Sequence, residues 1–231
     1  MSLITIQQIL QRLDRPNEIA ARLSVLKSLN TTESKNIIKL CKPFFASLPI
    51  EVGTKIYSVV HPSQQTQFVH QWTDHIFKVD HMTLSDEIVQ KIFKVGDVVK
   101  HTQIPLSTQV HHRAFKALSS LCTTSKTIDE IYRVLPSVVE NYIAYNIDDL
   151  KKICHQMHPN INRVNRRAHN IVSSFKFANA DNLQEIEHLL NWTGFLTLSS
   201  KNWDELRALM QNITLHKEVE SVSASTTKRK M

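Results

Sequence analysis

Glycine is so scarce in this sequence that most β folds are excluded at the outset. The 231 residues contain three glycines, Gly53, Gly96 and Gly194, whereas an average composition would supply about fifteen. Tight hairpin turns rely on the positive φ angles that glycine adopts without strain. Phosphate-cradling loops of nucleotide enzymes need glycine as well. The chain is therefore predicted to be all-α and to lack a glycine-rich nucleotide site.

Apolar residues recur at three- and four-residue spacing along nearly the whole chain, which predicts amphipathic helices. Asn30 and Glu33 are typical of a helix N-terminus, and Pro43 predicts a distortion near the end of that helix. Asn146 predicts another helix start, with Asp148 and Asp149 stabilising its N-terminal dipole. Beyond residue 49, helices are predicted at 50–60, 63–78, 84–100, 107–122, 127–145, 147–157, 161–178, 182–195 and 202–219.

An internal repeat gives the clearest indication of architecture. Each copy begins with an acid, Glu18, Glu51 or Glu87, at offsets of 33 and 36 residues. An apolar residue follows the acid directly, and a base and a further apolar residue follow one turn later. Units of this length consist of a helix pair that must stack on its neighbours to bury its apolar faces. The pattern resembles α-solenoids of the HEAT and armadillo kind. It predicts stacked antiparallel helical hairpins, either solenoid-like or as an irregular bundle.

The middle copy of the repeat carries a second resemblance. Leu48-Pro49-Ile50-Glu51-Val52, followed by Lys55-Ile56-Tyr57 and by Trp72, is similar to the opening of an F-box, a helical segment through which ubiquitin-ligase adaptors bind their scaffold. The resemblance covers residues 48–72 and implies that Leu48, Pro49 and Ile56 contact that scaffold. An ordinary repeat helix is the simpler interpretation of the same residues.

Positive charge is concentrated in two stretches that contain no carboxylate, residues 98–128 and 150–180, within a chain of net charge +7. Such stretches predict a surface that attracts acidic peptides or the phosphates of nucleic acid. Solvated helix faces are the alternative interpretation. The candidate partner- or anion-binding residues are His112, Arg113, Lys116, Lys151, Lys152, Arg163, Arg166 and Arg167.

Motifs for catalysis are missing from the sequence. It contains no Gly-x-Ser-x-Gly elbow, no His-Glu-x-x-His helix and no Walker loop. Cys154, His155, His158 and His169 have the chemistry of zinc ligands, but their spacing fits no known finger. The sequence therefore predicts a non-enzymatic protein with neither a metal nor a cofactor.

Three cysteines at unrelated positions, Cys41, Cys122 and Cys154, predict free thiols in a reducing cytoplasm. No apolar run has the length of a membrane span.

Residues 1–217 are predicted to form one helical domain, or else two sub-bundles that meet near 101–106. Residues 218–231 are predicted to be a disordered tail. Its order of acids, small polar residues and bases is similar to the C-terminal signals of type IV secreted effectors, which implies secretion into a host cell as an alternative location.

These patterns together predict a helical-repeat module for protein–protein interaction, with a role as a secreted effector or regulator. Another protein is the expected partner, and the oligomeric state stays open. A helical nucleic-acid-binding protein that uses the two basic stretches is one alternative. An F-box-like adaptor of a ubiquitin ligase is the other.

Overall fold

A computed structural model describes residues 28–80, 82–156, 158–192 and 201–213. These residues form α-helices and contain no β-strand, which confirms the all-α prediction. The first copy of the repeat and the predicted C-terminal tail lie outside the described residues. The helices are α1 (Thr31–Cys41), α2 (Ile50–Val59), α3 (Pro62–Ile76), α4 (Ser85–Thr102), α5 (Thr108–Ser119), α6 (Ser125–Val134), α7 (Pro136–Cys154), α8 (Ile161–Ser174), α9 (Ala180–Asn191) and α10 (201–213).

Helix α1 begins where its sequence predicts, and the distortion predicted at Pro43 lies just after its last residue. Asn30 accepts a hydrogen bond from the Glu33 amide at 2.9 Å, and the Glu33 carboxylate accepts one from the Asn30 amide at 3.1 Å. This reciprocal capping box satisfies two of the amides that a helix start leaves unpaired. At the other end, Pro43 lies in a short 3₁₀ turn, Lys42–Phe44, that continues directly from α1.

The structure corrects the sequence prediction between residues 125 and 157. The helices predicted at 127–145 and 147–157 are instead α6 and α7, and the helical backbone is interrupted at Leu135. The reason is Pro136, whose fixed φ suits the first position of a helix and disfavours helical backbone in the residue before it. Asn146 and the acids after it therefore lie in the interior of α7 and cap no helix.

The described residues divide into two compact units. Unit 1 comprises the described residues up to Leu118 together with Arg133–Leu135. In it, α2 and α3 both pack against α4, and α1 packs against α3. Phe45, Phe68 and Trp72 are fully buried at the centre of this unit, so its core is aromatic.

Unit 2 comprises Ser119–Tyr132 and the described residues from Pro136 onward. Its central element is α7, which packs against α8 and α9. Buried residues of α7 recur every three or four positions, from Val138 through Tyr142 to Ile153. The side chain of Asn202 in α10 donates a hydrogen bond to the carbonyl of Asn165 in α8 at 3.3 Å. The stacking of these helices as a solenoid stays a prediction, and so does the single domain over residues 1–217.

Two copies of the repeat fall on helices that pack together, α2 and α4. In the later copy, Lys91 forms an ion pair with Glu87 at 2.8 Å, as their four-residue spacing favours. The aromatic of the earlier copy, Tyr57, donates a hydrogen bond to the carbonyl of Thr102 in α4 at 3.0 Å. Tyr57 thus joins α2 to α4, whereas the pair of Glu87 and Lys91 lies within α4.

Gly53 marks a close approach of α2 to α3. A β-carbon at this position would overlap the indole ring of Trp72, which is fully buried and has little room to move. Glycine in a helix interior is less favourable than alanine by roughly 1 kcal/mol. The close helix contact explains why glycine is present in spite of that penalty.

We expect Gly53→Ala to lower the free energy of unfolding by about 1–3 kcal/mol, because the new methyl group must displace a packed indole ring. Urea denaturation followed by circular dichroism measures the change. Ser58→Ala, at an exposed position of the same helix, is the control for helix propensity. If Gly53→Ala raised stability as the control does, the close contact would be disproved.

Candidate functional site

Most of the predicted basic residues form ion pairs with acids from outside the two carboxylate-free stretches. Arg113 pairs with Asp74, and Lys151 pairs with Glu185. Lys152 lies 3.7 Å from Asp148 in an exposed pair. Tertiary packing therefore neutralises much of the charge that looks unopposed in the linear sequence.

Asp149 binds two of the predicted arginines at once. Arg163 Nη2 donates to Asp149 Oδ1 at 2.7 Å, and Arg167 Nε donates to Asp149 Oδ2 at 2.7 Å. Arg167 is 6% exposed and Asp149 is 9% exposed, so this pair is shielded from bulk solvent. A charge this deeply buried requires a partner, and each of these two provides it for the other. Arg167 is therefore placed to join α7 to α8 and is inaccessible to a large anionic partner.

A buried hydrogen-bond network surrounds Arg167. Its Nη1 donates to the carbonyl of Ser119 and, at 3.3 Å, to Asn146 Oδ1. Asn170 Nδ2 donates to the same Asn146 oxygen at 3.1 Å and to the Ser119 carbonyl at 3.2 Å. Asn146 in turn donates to the Tyr142 carbonyl at 2.7 Å. Such a network fixes the register of α8 on α7, because each buried polar group needs its particular partner.

Three of the predicted basic residues have no ion pair among the described residues. His112 and Lys116 lie one turn apart on the exposed face of α5 in unit 1. Arg166 lies in unit 2, half-buried, and its Nε is buried without a hydrogen-bond partner. These residues belong to different units, so the prediction of a shared anion-binding surface stays a prediction.

The residues of the F-box resemblance are mostly internal. Leu48 is fully buried and Ile56 is 1% exposed, whereas Pro49 is the half-buried N-cap residue of α2. Trp72 is fully buried as well. Leu48 and Ile56 therefore contribute to the core of unit 1. The adaptor hypothesis stays a prediction, and it would require a scaffold to reach residues that now pack inside the unit.

Two apolar side chains are exposed on a hydrogen-bonded turn between α3 and α4. Met82 is 76% exposed and Leu84 is 73% exposed. The Met82 amide donates to Asp80 Oδ1 at 2.9 Å, and Thr83 Oγ1 donates to the same oxygen at 3.2 Å. Thr83 Oγ1 also accepts from the Asp80 amide at 3.1 Å. The sequence analysis missed this turn, although its Asp-x-x-Thr spacing is a turn signal.

The sequence analysis also missed a groove between α1 and α3. It has a volume of about 210 Å³ and is lined by Lys35, Ile38, Lys39, Lys42, Gln67 and Gln71. The three lysines follow one another at helical spacing, a signal visible in the sequence.

The cysteines are free, and the described residues contain no cluster of His, Cys, Asp and Glu that could hold a metal ion. Cys41 is buried, Cys154 is half-buried and Cys122 is exposed. Burial raises the pKa of Cys41 and of Cys154 to about 12. Both thiols are therefore expected to react more slowly than Cys122, which is the exposed one of the three.

We expect Asp149→Asn to lower the free energy of unfolding by about 3 kcal/mol, because it leaves Arg167 buried without a counter-charge. Asp148→Asn, one residue earlier in an exposed pair, should change it by less than about 0.5 kcal/mol. Urea unfolding of the two variants compares their free energies of unfolding, and each variant loses one negative charge. Equal effects would show that the Asp149 pair contributes little to stability.

We also expect the three cysteines to react with iodoacetamide in the order of their exposure. At about pH 8, Cys122 should be alkylated first, since burial keeps the other two thiols protonated. Peptide mass spectrometry at successive times gives the order, and the same reaction in urea should modify all three. Early labelling of Cys41 in the folded protein would contradict the burial described above.

Comparisons with known proteins return no relative for this chain. No protein-family model, no curated protein and no solved structure matches it. The comparisons therefore point to no enzyme family, and the function has to be argued from the residues themselves.

Proposed function

We propose that this chain is a protein–protein interaction module and that the turn carrying Met82 and Leu84 contacts the partner. The single observation that carries the proposal is the exposure of two large apolar side chains on one ordered turn. Apolar side chains exposed together are a feature of interaction sites. Burying each against a partner would contribute roughly 1.5–3 kcal/mol.

The requirements of folding do not explain why a leucine occupies position 84. It is the N-cap residue of α4 and makes no side-chain capping hydrogen bond. Ser, Thr, Asp or Asn at an N-cap is more stable than an apolar residue by about 1 kcal/mol. An exposed residue that departs from the preference for a polar N-cap is a candidate for a functional role.

Acidic residues flank the two apolar residues in the sequence, and one of these acids, Glu87, is paired with Lys91. Asp80 closes the turn, and Asp86 and Glu87 follow in the first turn of α4. All three are exposed. The partner that fits is therefore a protein with an apolar pocket and a basic rim, since complementary charges at the rim favour association.

This proposal does not depend on the basic stretches. Arg113, Arg163 and Arg167 are engaged by carboxylates, so the nucleic-acid alternative loses three of its strongest phosphate ligands. Aromatic side chains for base stacking are also sparse in those stretches. Nucleic-acid binding and the F-box-like role both stay predictions. No helix among the described residues is long and apolar enough to cross a membrane.

The test is affinity capture with the full chain from a lysate of its native cells, in the presence of nuclease. We expect Met82→Ser with Leu84→Ser to reduce recovery of a specific protein about tenfold or more, because two apolar contacts are lost. Ile161→Ser is the matched control, since Ile161 is an exposed apolar residue of unit 2.

Equal recovery with the double variant and the control would remove the turn from the interface. Material that is lost on nuclease treatment would instead support the nucleic-acid alternative.

A further inference from the structure

The groove between α1 and α3 has the composition of an anion site. Among the described residues, its lining contains three lysines, two glutamines and one isoleucine, with no carboxylate. All three lysines are exposed and form no ion pair with a described residue. We propose that this groove binds a small anion that carries several linked phosphate groups, of the tripolyphosphate kind.

The spacing of the lysines favours an extended anion over a single phosphate. Lys35, Lys39 and Lys42 lie at intervals of four and three residues, which places them along one face of α1 and its 3₁₀ extension. Seven residues at helical rise span about 10 Å. That length accommodates a short row of phosphates, each next to one ammonium group.

The acids on both helices near the groove already have other partners. Glu33 is held in the capping box with Asn30. Asp74, one turn beyond Gln71, accepts from Arg113. Neither carboxylate lines the groove, so the positive potential of the lysines is left for a ligand.

The glutamines opposite the lysines strengthen the inference. Gln67 and Gln71 are one turn apart on α3 and face the groove. Glutamate at either position would have the same size and would form an ion pair with a lysine. The amides instead leave the lysines uncompensated and add N–H donors for phosphate oxygens.

Helix stability accounts for only part of this arrangement. Lys39 and Lys42 lie at the C-terminal end of α1, where positive charge interacts favourably with the helix dipole. Lys35 lies in the first half of the helix, where the dipole gives no such benefit. Its like charge four residues before Lys39 is unfavourable in an isolated helix, and a bound anion would remove that repulsion.

The shape of the groove argues against a nucleic acid or a nucleotide base as the main contact. No aromatic side chain of the described part of the chain lines it, so a base would find no ring there on which to stack. Its volume of about 210 Å³ is below the usual range for drug-sized ligands. A phosphate chain without a base is the ligand that fits both observations.

Isothermal titration calorimetry of the full chain at low salt tests the proposal. Titrants are orthophosphate, pyrophosphate and tripolyphosphate, and we expect affinity to rise with the number of phosphates. Lys35→Gln with Lys39→Gln and Lys42→Gln should weaken tripolyphosphate binding about tenfold or more, because three charge–charge contacts are lost.

The matched control removes three exposed lysines elsewhere in unit 1, as Lys55→Gln with Lys78→Gln and Lys100→Gln. It changes the net charge equally and should bind as the unaltered chain does. A second variant, Gln67→Glu with Gln71→Glu, should abolish binding while the melting temperature is kept or raised, since new ion pairs replace the ligand. This readout separates loss of the site from loss of the fold.

Three results would overturn the proposal. They are no binding of tripolyphosphate at low salt, an equal loss in the control variant, and displacement of tripolyphosphate by a lower concentration of single-stranded oligonucleotide. The last result would assign the groove to nucleic acid. None of them bears on Met82 and Leu84, so this proposal and the protein-interaction proposal can fail separately.

Discussion

The carboxylate of Asp149 is shared by Arg163 and Arg167, and the packing of unit 2 is organised around that contact. Moving a carboxylate and a guanidinium out of water costs several kcal/mol for each ion, so the two must remain paired wherever they are buried. Arg167 also reaches the Ser119 carbonyl and Asn146. Arg167 therefore links Ser119, the middle of α7 and α8 within unit 2, and these polar contacts specify the register of α8 on α7 more strictly than apolar packing alone.

The same contact changes the functional interpretation of the sequence. Arginines without a nearby acid in the chain are expected to bind phosphates, and residues 150–180 have that pattern. In the folded chain, Asp149 lies just outside that stretch and binds two of its arginines. Glu185 does the same for Lys151. Unit 1 exposes features of another kind, among them the Met82 and Leu84 turn and the lysine groove.

Local signals in the sequence were sufficient to predict much of the fold. The helix start at Asn30 and Glu33 and the distortion at Pro43 depend on residues within a few positions, and the structure has a capping box at the first and a 3₁₀ turn at the second. The helix start predicted at Asn146 is wrong, because the hydrogen-bond partners of that side chain, including Ser119 and Asn170, come from distant parts of the chain. A preference for capping was overridden by tertiary contacts, and the proline at 136 set the true boundary.

The candidate sites were harder to predict for the same physical reason. Whether Lys35 faces an acid or a glutamine depends on which face of α3 packs against α1, and no window of sequence contains both. The exposure of Leu84 likewise depends on the direction in which the turn holds it. Pairing and exposure are properties of the folded chain, whereas net charge and periodicity can be counted along it.

Site-specific photo-crosslinking shows most directly whether the Met82 and Leu84 turn meets a partner, because the crosslink forms with whatever molecule lies against the chosen side chain. A photoactivatable amino acid is placed at position 84, at position 116 or at position 166, and the full chain is irradiated in a lysate of its native cells. We expect a discrete protein adduct from position 84, with little from the other two. Adducts that form mainly from positions 116 and 166, and that contain nucleic acid, would contradict the assignment of this turn as the interface.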